Sequence, residues 1–200
     1  MKQQKPKTLY LASKNQHKLR EINEIIADTT ITCRLATALG GDITWNESGN
    51  SFIANALERA RALKKLTQEA VLADDSGLVV RALGGAPGIF SSRYAGKDAT
   101  DHDNNLKLLN ELAETPKAQR TASFVCALVY IPAHSKCHYA YIGQVHGTIL
   151  TSFRGYSGFG YDPLFLPLGK DKTFGEQSQH EKNKSSHRHQ ALRSWRQSFA

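Results

Sequence analysis

The chain has 200 residues, 40% of them hydrophobic, and a formal net charge of +8, which allows one large domain or two small lobes with a true core and implies attraction to polyanions, either nucleic acid or phosphorylated small molecules. No apolar run approaches ~18 residues and the opening Met1-Lys2-Gln3-Gln4-Lys5 has no signal-peptide core, so a soluble, cytoplasmic protein with no membrane partner is expected. Cys33, Cys126 and Cys137 are widely spaced with no CxxC pair, which speaks against a disulfide framework and against structural zinc.

Thr8-Leu9-Tyr10-Leu11-Ala12 reads as a first buried strand. The polar loop Ser13-Lys14-Asn15-Gln16-His17-Lys18 follows, and Leu19, Ile22, Ile25 and Ile26 then recur at helical spacing. A strand, a loop carrying an amide and a lysine, and a helix N-terminus make a candidate phosphate cradle, although an ordinary connector without P-loop glycines reads equally well. Residues 30–35 predict a second strand, and residues 42–50 are polar and hold Glu47. Phe52, Ile53, Ala56, Leu57, Ala60 and Leu63 mark an amphipathic helix with Ser51 as its cap.

Ala73-Asp74-Asp75-Ser76-Gly77 lies between the apolar runs Ala70-Val71-Leu72 and Leu78-Val79-Val80. Adjacent carboxylates beside apolar surface are costly unless a metal ion or several donors neutralise them, so the pair marks a candidate site. Successive side chains of an extended segment point to opposite faces. Asp74 and Asp75 are therefore expected not to share a ligand, one facing the site and the other bracing a turn. The competing reading is a hairpin whose turn is Asp-Ser-Gly, with Gly77 making a sharp reversal.

Gly84-Gly85-Ala86-Pro87-Gly88 is turn-rich, and Asp101 is expected to cap a helix carrying Leu106, Leu109 and Leu112. Thr121–Ile131 and residues 137–150 predict strands, with Cys126 a buried thiol. In Gly155-Tyr156-Ser157-Gly158-Phe159-Gly160-Tyr161-Asp162-Pro163, glycines alternate with aromatics. That pattern suits a ring presented for base stacking, or else a tight corner or a core aromatic cluster. Residues 170–179 read as loop. Ala191, Leu192, Trp195 and Phe199 form one apolar helix face, with Ser185 and Ser186 as caps, so His187 and Arg188 fall in the first turn. Cations there oppose the helix dipole, as expected where they serve a bound anion or a polar group.

Seven segments in this order resemble the inosine/xanthosine triphosphate pyrophosphatase (ITPase) family from Leu9 to about Arg193: Ser13-Lys14-Asn15-x-x-Lys18-Leu19-x-Glu21, Phe52-x-x-Asn55-Ala56, Ala73-Asp74-Asp75-Ser76-Gly77-Leu78, Leu83-Gly84-Gly85-Ala86-Pro87-Gly88, Ser92-Arg93-Tyr94-Ala95-Gly96, Gly158-Phe159-Gly160-Tyr161-Asp162-Pro163, and Lys182 with Ser186-His187-Arg188. The resemblance implies an elongated, two-lobed α/β fold over residues 1–200. Its long mixed β-sheet would be flanked by helices, with an active-site cleft between the lobes and a homodimeric assembly. It also implies Mg²⁺-dependent hydrolysis of ITP, dITP or XTP to the monophosphate and pyrophosphate. By the same resemblance Asp75 is the catalytic acidic residue, and Glu47 joins it where the family places acidic metal ligands. Ser13, Lys14, Asn15, Gln16, His17, Lys18, Ser76, Phe159, Gly160, Tyr161, Asp162, Lys182, His187 and Arg188 match its nucleotide-binding segments. Lys14 stands where many relatives carry glycine or asparagine, which implies left-handed backbone at that position.

The chemistry agrees with that assignment. Mg²⁺ with Lys18 and Lys182 would offset a triphosphate's charge, Asp75 would orient or deprotonate the attacking water, Phe159 would stack on the purine, and His187 and Arg188 would address its polar edge. The alternatives are a pyrophosphatase of different base preference and a non-enzymatic nucleic-acid-binding protein. The internal acid pair favours the enzyme, with no stable nucleic-acid partner expected.

Overall fold

The computed structural model describes residues 5–40, 43–45 and 48–199. Strands β1 (Thr8–Leu11), β2 (Thr32–Leu35), β3 (Ala70–Val80), β4 (Thr121–Ile131), β5 (Tyr139–Ile149) and β6 (Phe165–Pro167) form one sheet in the order β2-β1-β3-β4-β5-β6. β1 pairs in parallel with both β2 and β3, and β6 pairs antiparallel with β5, so the sheet is mixed. Helices α1 (Gln16–Ile25), α2 (Phe52–Lys64), α3 (Asp101–Glu111), α4 (Gln179–Asn183) and α5 (His187–Gln197) complete an α/β protein. The chain divides into two compact units, one of Met1–Asp75, Cys126–Gly143 and His187–Ala200, the other of Ser76–Val125 and Gln144–Ser186.

In the first unit, the period-2 alternation of the strands sorts their side chains between two cores. Leu9, Leu11, Ala70, Leu72, Cys126, Leu128 and Tyr130 face one way, against Ile22 and Ile25 of α1, Ile26 just beyond it, and Ala191, Leu192 and Trp195 of α5. Ala12, Val71, Ala73, Val129 and Ile131 face the other way, against Ala56, Ala60 and Leu63 of α2. Each large apolar side chain buried in this manner contributes ~1.5–3 kcal/mol relative to exposure. Both helices on which the site depends begin as the spacing predicts. Asn15 Oδ1 accepts from the His17 and Lys18 amides to open α1, and Ser51 Oγ accepts from Ala54 N to open α2.

The second unit has its own core. Phe124 meets Phe165 edge-on with ring centroids 4.8 Å apart, and Leu78, Val80, Leu108, Leu112, Leu164 and Phe174 pack around them.

Four sequence expectations are corrected. Ala73 to Leu78 is not a hairpin turn: β3 runs unbroken through both aspartates, and Gly77 is absent from the glycines of positive φ, so the backbone makes no reversal there. Thr100, not Asp101, caps α3, forming a capping box with Asp103 that leaves Asp101 as the first helical residue. Residues 170–179, expected as loop, contain a 3₁₀ turn at Phe174–Glu176 and lead at Gln179 into α4, each opened by its own capping box. Finally, the non-glycine residue of positive φ among those described is His134, so Lys14 is not held in left-handed geometry.

Candidate active site

The alternation that sorts the core also divides the two aspartates. Asp74 continues the parity of Ala70 and Leu72 and emerges on the face of α1 and α5, whereas Asp75 continues that of Val71 and Ala73 and emerges on the face of α2. Each meets a different set of partners.

Asp74 is fully buried. The Lys18 ammonium lies 2.8 Å from its Oδ1 and donates to its backbone carbonyl at 3.0 Å. Arg188 donates from Nε to Oδ2 at 2.7 Å and from Nη2 toward Oδ1 at 3.4 Å, while its Nη1 bonds Glu21. Cys126 Sγ, from the same sheet face, approaches Oδ2 at 3.3 Å. Two carboxylates and two cations thus close a neutral cluster. Burial opposes ionisation of Asp74, but Arg188 and Lys18 outweigh it and hold the carboxyl well below the usual carboxylate range. Asp74 is a permanent anion.

Asp75 is differently placed. Its carboxylate accepts from Arg59 Nη2 at Oδ1 and from Asn55 Nδ2 at Oδ2, the latter at 3.2 Å. Burial pushes its carboxyl above the usual range; Arg59, Lys18 and Asn55 oppose the rise without cancelling it, and neighbouring Asp74 adds to it. A carboxyl displaced toward neutrality in this manner is a better proton acceptor than an ordinary one.

The loop before α1 belongs to the same unit. Ser13 is buried and its Oγ accepts from Asn15 N at 3.0 Å, which shapes the turn that delivers Lys18 to Asp74. Lys14, Gln16 and His17 are exposed along that turn. His187 opens α5 and is buried, and Gly143 lies so close that a side chain there would collide with the His187 carbonyl. Arg188, matched by sequence to a nucleotide-binding segment, is committed to Asp74 and Glu21 in this structure.

In the second unit, the glycine-aromatic loop is tied by one carboxylate. Asp162 Oδ2 accepts from the Phe159 amide at 2.9 Å and from the buried Lys182 ammonium at 2.5 Å. Gly158 has φ +78°, and a side chain on it would collide with that carboxylate. Gly160 is fixed by the Asp101 carboxylate on its N–H at 2.6 Å and by Asn105 on its carbonyl at 2.8 Å. The Lys182 ammonium stands 4.7 Å from the centroid of the half-buried Phe159 ring. Tyr161 is instead a core residue, 3% exposed, with its hydroxyl donating to the Ser91 carbonyl at 2.8 Å. Of the aromatics matched to nucleotide-binding segments, Phe159 is the one not absorbed into the core. Ser76 is half-buried on β3. Glu47, the expected second metal ligand, lies outside the described residues.

Sequence reasoning assigned no site role to Arg59, Asn55 or Glu21. Asn55 and Arg59 were detectable as polar residues on the buried stripe of α2, one turn apart, and Glu21 as the acid among the isoleucines of α1.

A buried acid pair pointing to opposite faces of one strand inside a mixed sheet, with cations from two helices on one member and a displaced carboxyl on the other, gives an α/β protein with a candidate acid–base site. Comparison with known proteins makes this specific: the chain belongs to the Ham1 family, whose model matches residues 9–198. It is 44% identical over 188 residues to a dITP/XTP pyrophosphatase of Shigella flexneri, covering 92% of this chain and 93% of that protein. It is 43% identical over 184 residues to a protein of the same description from Geobacter sulfurreducens, covering 92% of each. Its fold matches the solved Ham1 protein of Staphylococcus aureus with a TM-score of 0.84 and 37% identity, over 96% of this chain and 97% of that one. The expected ITPase-family membership and α/β fold are both borne out.

Proposed function

We propose that this chain hydrolyses non-standard purine nucleoside triphosphates, ITP, dITP and XTP, to the nucleoside monophosphate and pyrophosphate with Mg²⁺, acting in the cytoplasm as a homodimer. The substrate class is supported by the similarity to dITP/XTP pyrophosphatases. The chemistry is carried by one observation: Asp74 is closed into an ion cluster with Lys18, Arg188 and Glu21, while Asp75, its neighbour in sequence, faces the other way toward α2. Asp75 is thereby the carboxylate of the pair left to orient the attacking water.

The residues around Asp75 suit a hard cation. Arg59 and Asn55 each occupy one carboxylate oxygen, leaving each oxygen a further lone pair, and the buried Asn55 Oδ1 has no hydrogen-bond partner among the described residues. Mg²⁺ needs only one or two carboxylates beside water and substrate phosphates, so Asp75, with Glu47 as the other proposed ligand, would hold it. When bound, the ion offsets triphosphate charge and the charge developing at the reacting phosphorus. Within the first unit, the opening turn of α1 offers amide dipoles that favour phosphate oxygens. Within the second, the Phe159 ring braced by Lys182 offers a stacking face for a purine.

The test is a panel of ITP, XTP, dITP, GTP and ATP with and without Mg²⁺, read by phosphorus NMR. Monophosphate and pyrophosphate should appear in equal amounts. ITP should be preferred over ATP by roughly 100-fold in kcat/KM, the size of one or two mismatched buried hydrogen bonds. Inorganic phosphate with diphosphate as first products, or equal use of ATP and ITP, would reject this reading. Absence of turnover together with steeply salt-dependent binding to nucleic acid would replace it with the binding-protein alternative.

A further inference from the structure

One face of α2 grips Asp75 at both ends of its carboxylate. Asn55 and Arg59 are one helical turn apart on the stripe that also buries Ala56, Ala60 and Leu63. Arg59 Nη2 takes Oδ1 and Asn55 Nδ2 takes Oδ2. Donors on opposite oxygens fix the plane of the carboxylate, which a single contact leaves free to rotate about its last torsion.

Stability does not account for this arrangement. Asn55 is 0% and Arg59 6% exposed, and a buried ion pair replaced by apolar side chains of similar volume is commonly neutral or stabilising. Asn55 also aims Nδ2 at Asp75 while its Oδ1 stays buried without a hydrogen-bond partner among the described residues, a cost that an alanine or leucine would not carry. Features that are expensive for folding and converge on the candidate catalytic group point to its function.

We infer that Arg59 and Asn55 are positioning residues, locking the Asp75 carboxylate in the orientation from which it addresses the attacking water; this rests on the role of Asp75 proposed above. Neither residue itself takes part in bond making. Arg59 meets the Asp75 carboxylate from its terminal Nη2, where a lysine ammonium can supply a cation, whereas an uncharged side chain of similar length cannot.

The experiment is steady-state kinetics with ITP on Arg59→Met, Arg59→Lys and Asn55→Ala, alone and combined with Asp75→Asn, with circular dichroism as the folding control. Arg59→Met should lower kcat roughly 100-fold, the usual cost of a misplaced catalytic group, and leave KM within about three-fold. Arg59→Lys should recover kcat to within about ten-fold of the parent, and Asn55→Ala should lose about ten-fold. In the Asp75→Asn background, Arg59→Met should cost no more than about two-fold further, because its effect runs through the missing carboxylate.

A raised KM with unchanged kcat would make Arg59 a phosphate ligand and overturn the inference, as would full additivity with Asp75→Asn. If Arg59→Met does not fold, Arg59→Lys and Asn55→Ala decide by the same criteria. If the parent enzyme turns over none of the triphosphates, the proposed function has failed separately. The grip on Asp75 is then read by a urea-denaturation cycle on Arg59 and Asp75, in which coupling supports it and independence overturns it.

Discussion

Among the described residues, two buried constellations of carboxylates and cations are built in opposite ways. In the first unit, Asp74 and Asp75 ride on a strand inside the sheet and meet cations from helices: Lys18 from α1, Arg59 from α2 and Arg188 from α5. In the second unit, Asp162 sits in a loop of positive-φ glycines and uses one oxygen to fasten both the Phe159 amide and the Lys182 ammonium. Regular structure fixes where the first pair's charges lie, so a carboxyl can be held away from its ordinary protonation range. The loop has no such frame, and there the carboxylate itself supplies the order. One acid is the proposed reactive group, the other a fastener.

The largest expected effect tests the first half of that contrast. Asp75→Asn changes the charge with almost no change of volume, and loss of a general base costs roughly 100- to 10,000-fold in kcat. The variant should fold and should still bind nucleotide by calorimetry. A near-parental kcat would remove Asp75 from the chemistry and dissolve the distinction drawn here.

Asp74, the other member of the pair, should report in stability. Asp74→Asn leaves Arg188 and Lys18 with too little negative charge in a buried cluster, and breaking such a pair costs ~3–5 kcal/mol. The pH dependence follows from the direction of its shift. The folded-state pKa of Asp74 lies below its unfolded value, so its contribution is complete above the unfolded value of ~4 and disappears only as pH falls through the folded one. Urea denaturation should therefore show a gap between Asp74→Asn and parent that is constant from about pH 5 to 7 and shrinks only in stronger acid. A gap that closes near neutrality would mean that Asp74 is not the permanent anion described.

How far each region was legible in the sequence follows the same division. Helical spacing of Ile22, Ile25 and Ile26, and the Ser51 cap before Phe52, located α1 and α2 because those signals are local. Strand alternation correctly sent Asp74 and Asp75 to opposite faces, but the turn that one of them was expected to brace is not there, because β3 runs unbroken through both. The continuity of β3 was hidden, since Asp-Asp-Ser-Gly is turn chemistry and only its place inside the sheet overrides that local preference. The partners were hidden for another reason: Arg59 is 16 residues from Asp75, and Arg188 is 114 from Asp74 and 167 from Glu21, separations over which spacing carries no information. α4 spans five residues, too few for a period to register. Tyr161 and Phe159 look alike in the glycine loop, and only packing sends one ring into the core.

The smallest effects separate the two lysines of the first loop. Lys18 is 13% exposed at its side chain and touches both the carboxylate and the carbonyl of Asp74, so Lys18→Ala removes a charge-assisted contact from the cluster beside Asp75. Bonds of that kind are worth ~1.5–3 kcal/mol, and a loss of about 2 kcal/mol in kcat/KM is expected. Lys14 is exposed on the same turn, where solvent screens its charge. Its φ is not positive, so glycine relieves no strain there and only widens the unfolded ensemble. Lys14→Gly should thus lower stability by ~0.4–1 kcal/mol while leaving kcat/KM within about three-fold. The expected pattern is a rank order, with Lys18→Ala costly in turnover and Lys14→Gly costly only in the urea midpoint. If Lys14→Gly abolished activity while Lys18→Ala were silent, the helix-borne cation would not be the one that matters. The claim that regular elements, and not the loop leading into them, set the charges around Asp74 and Asp75 would then fail.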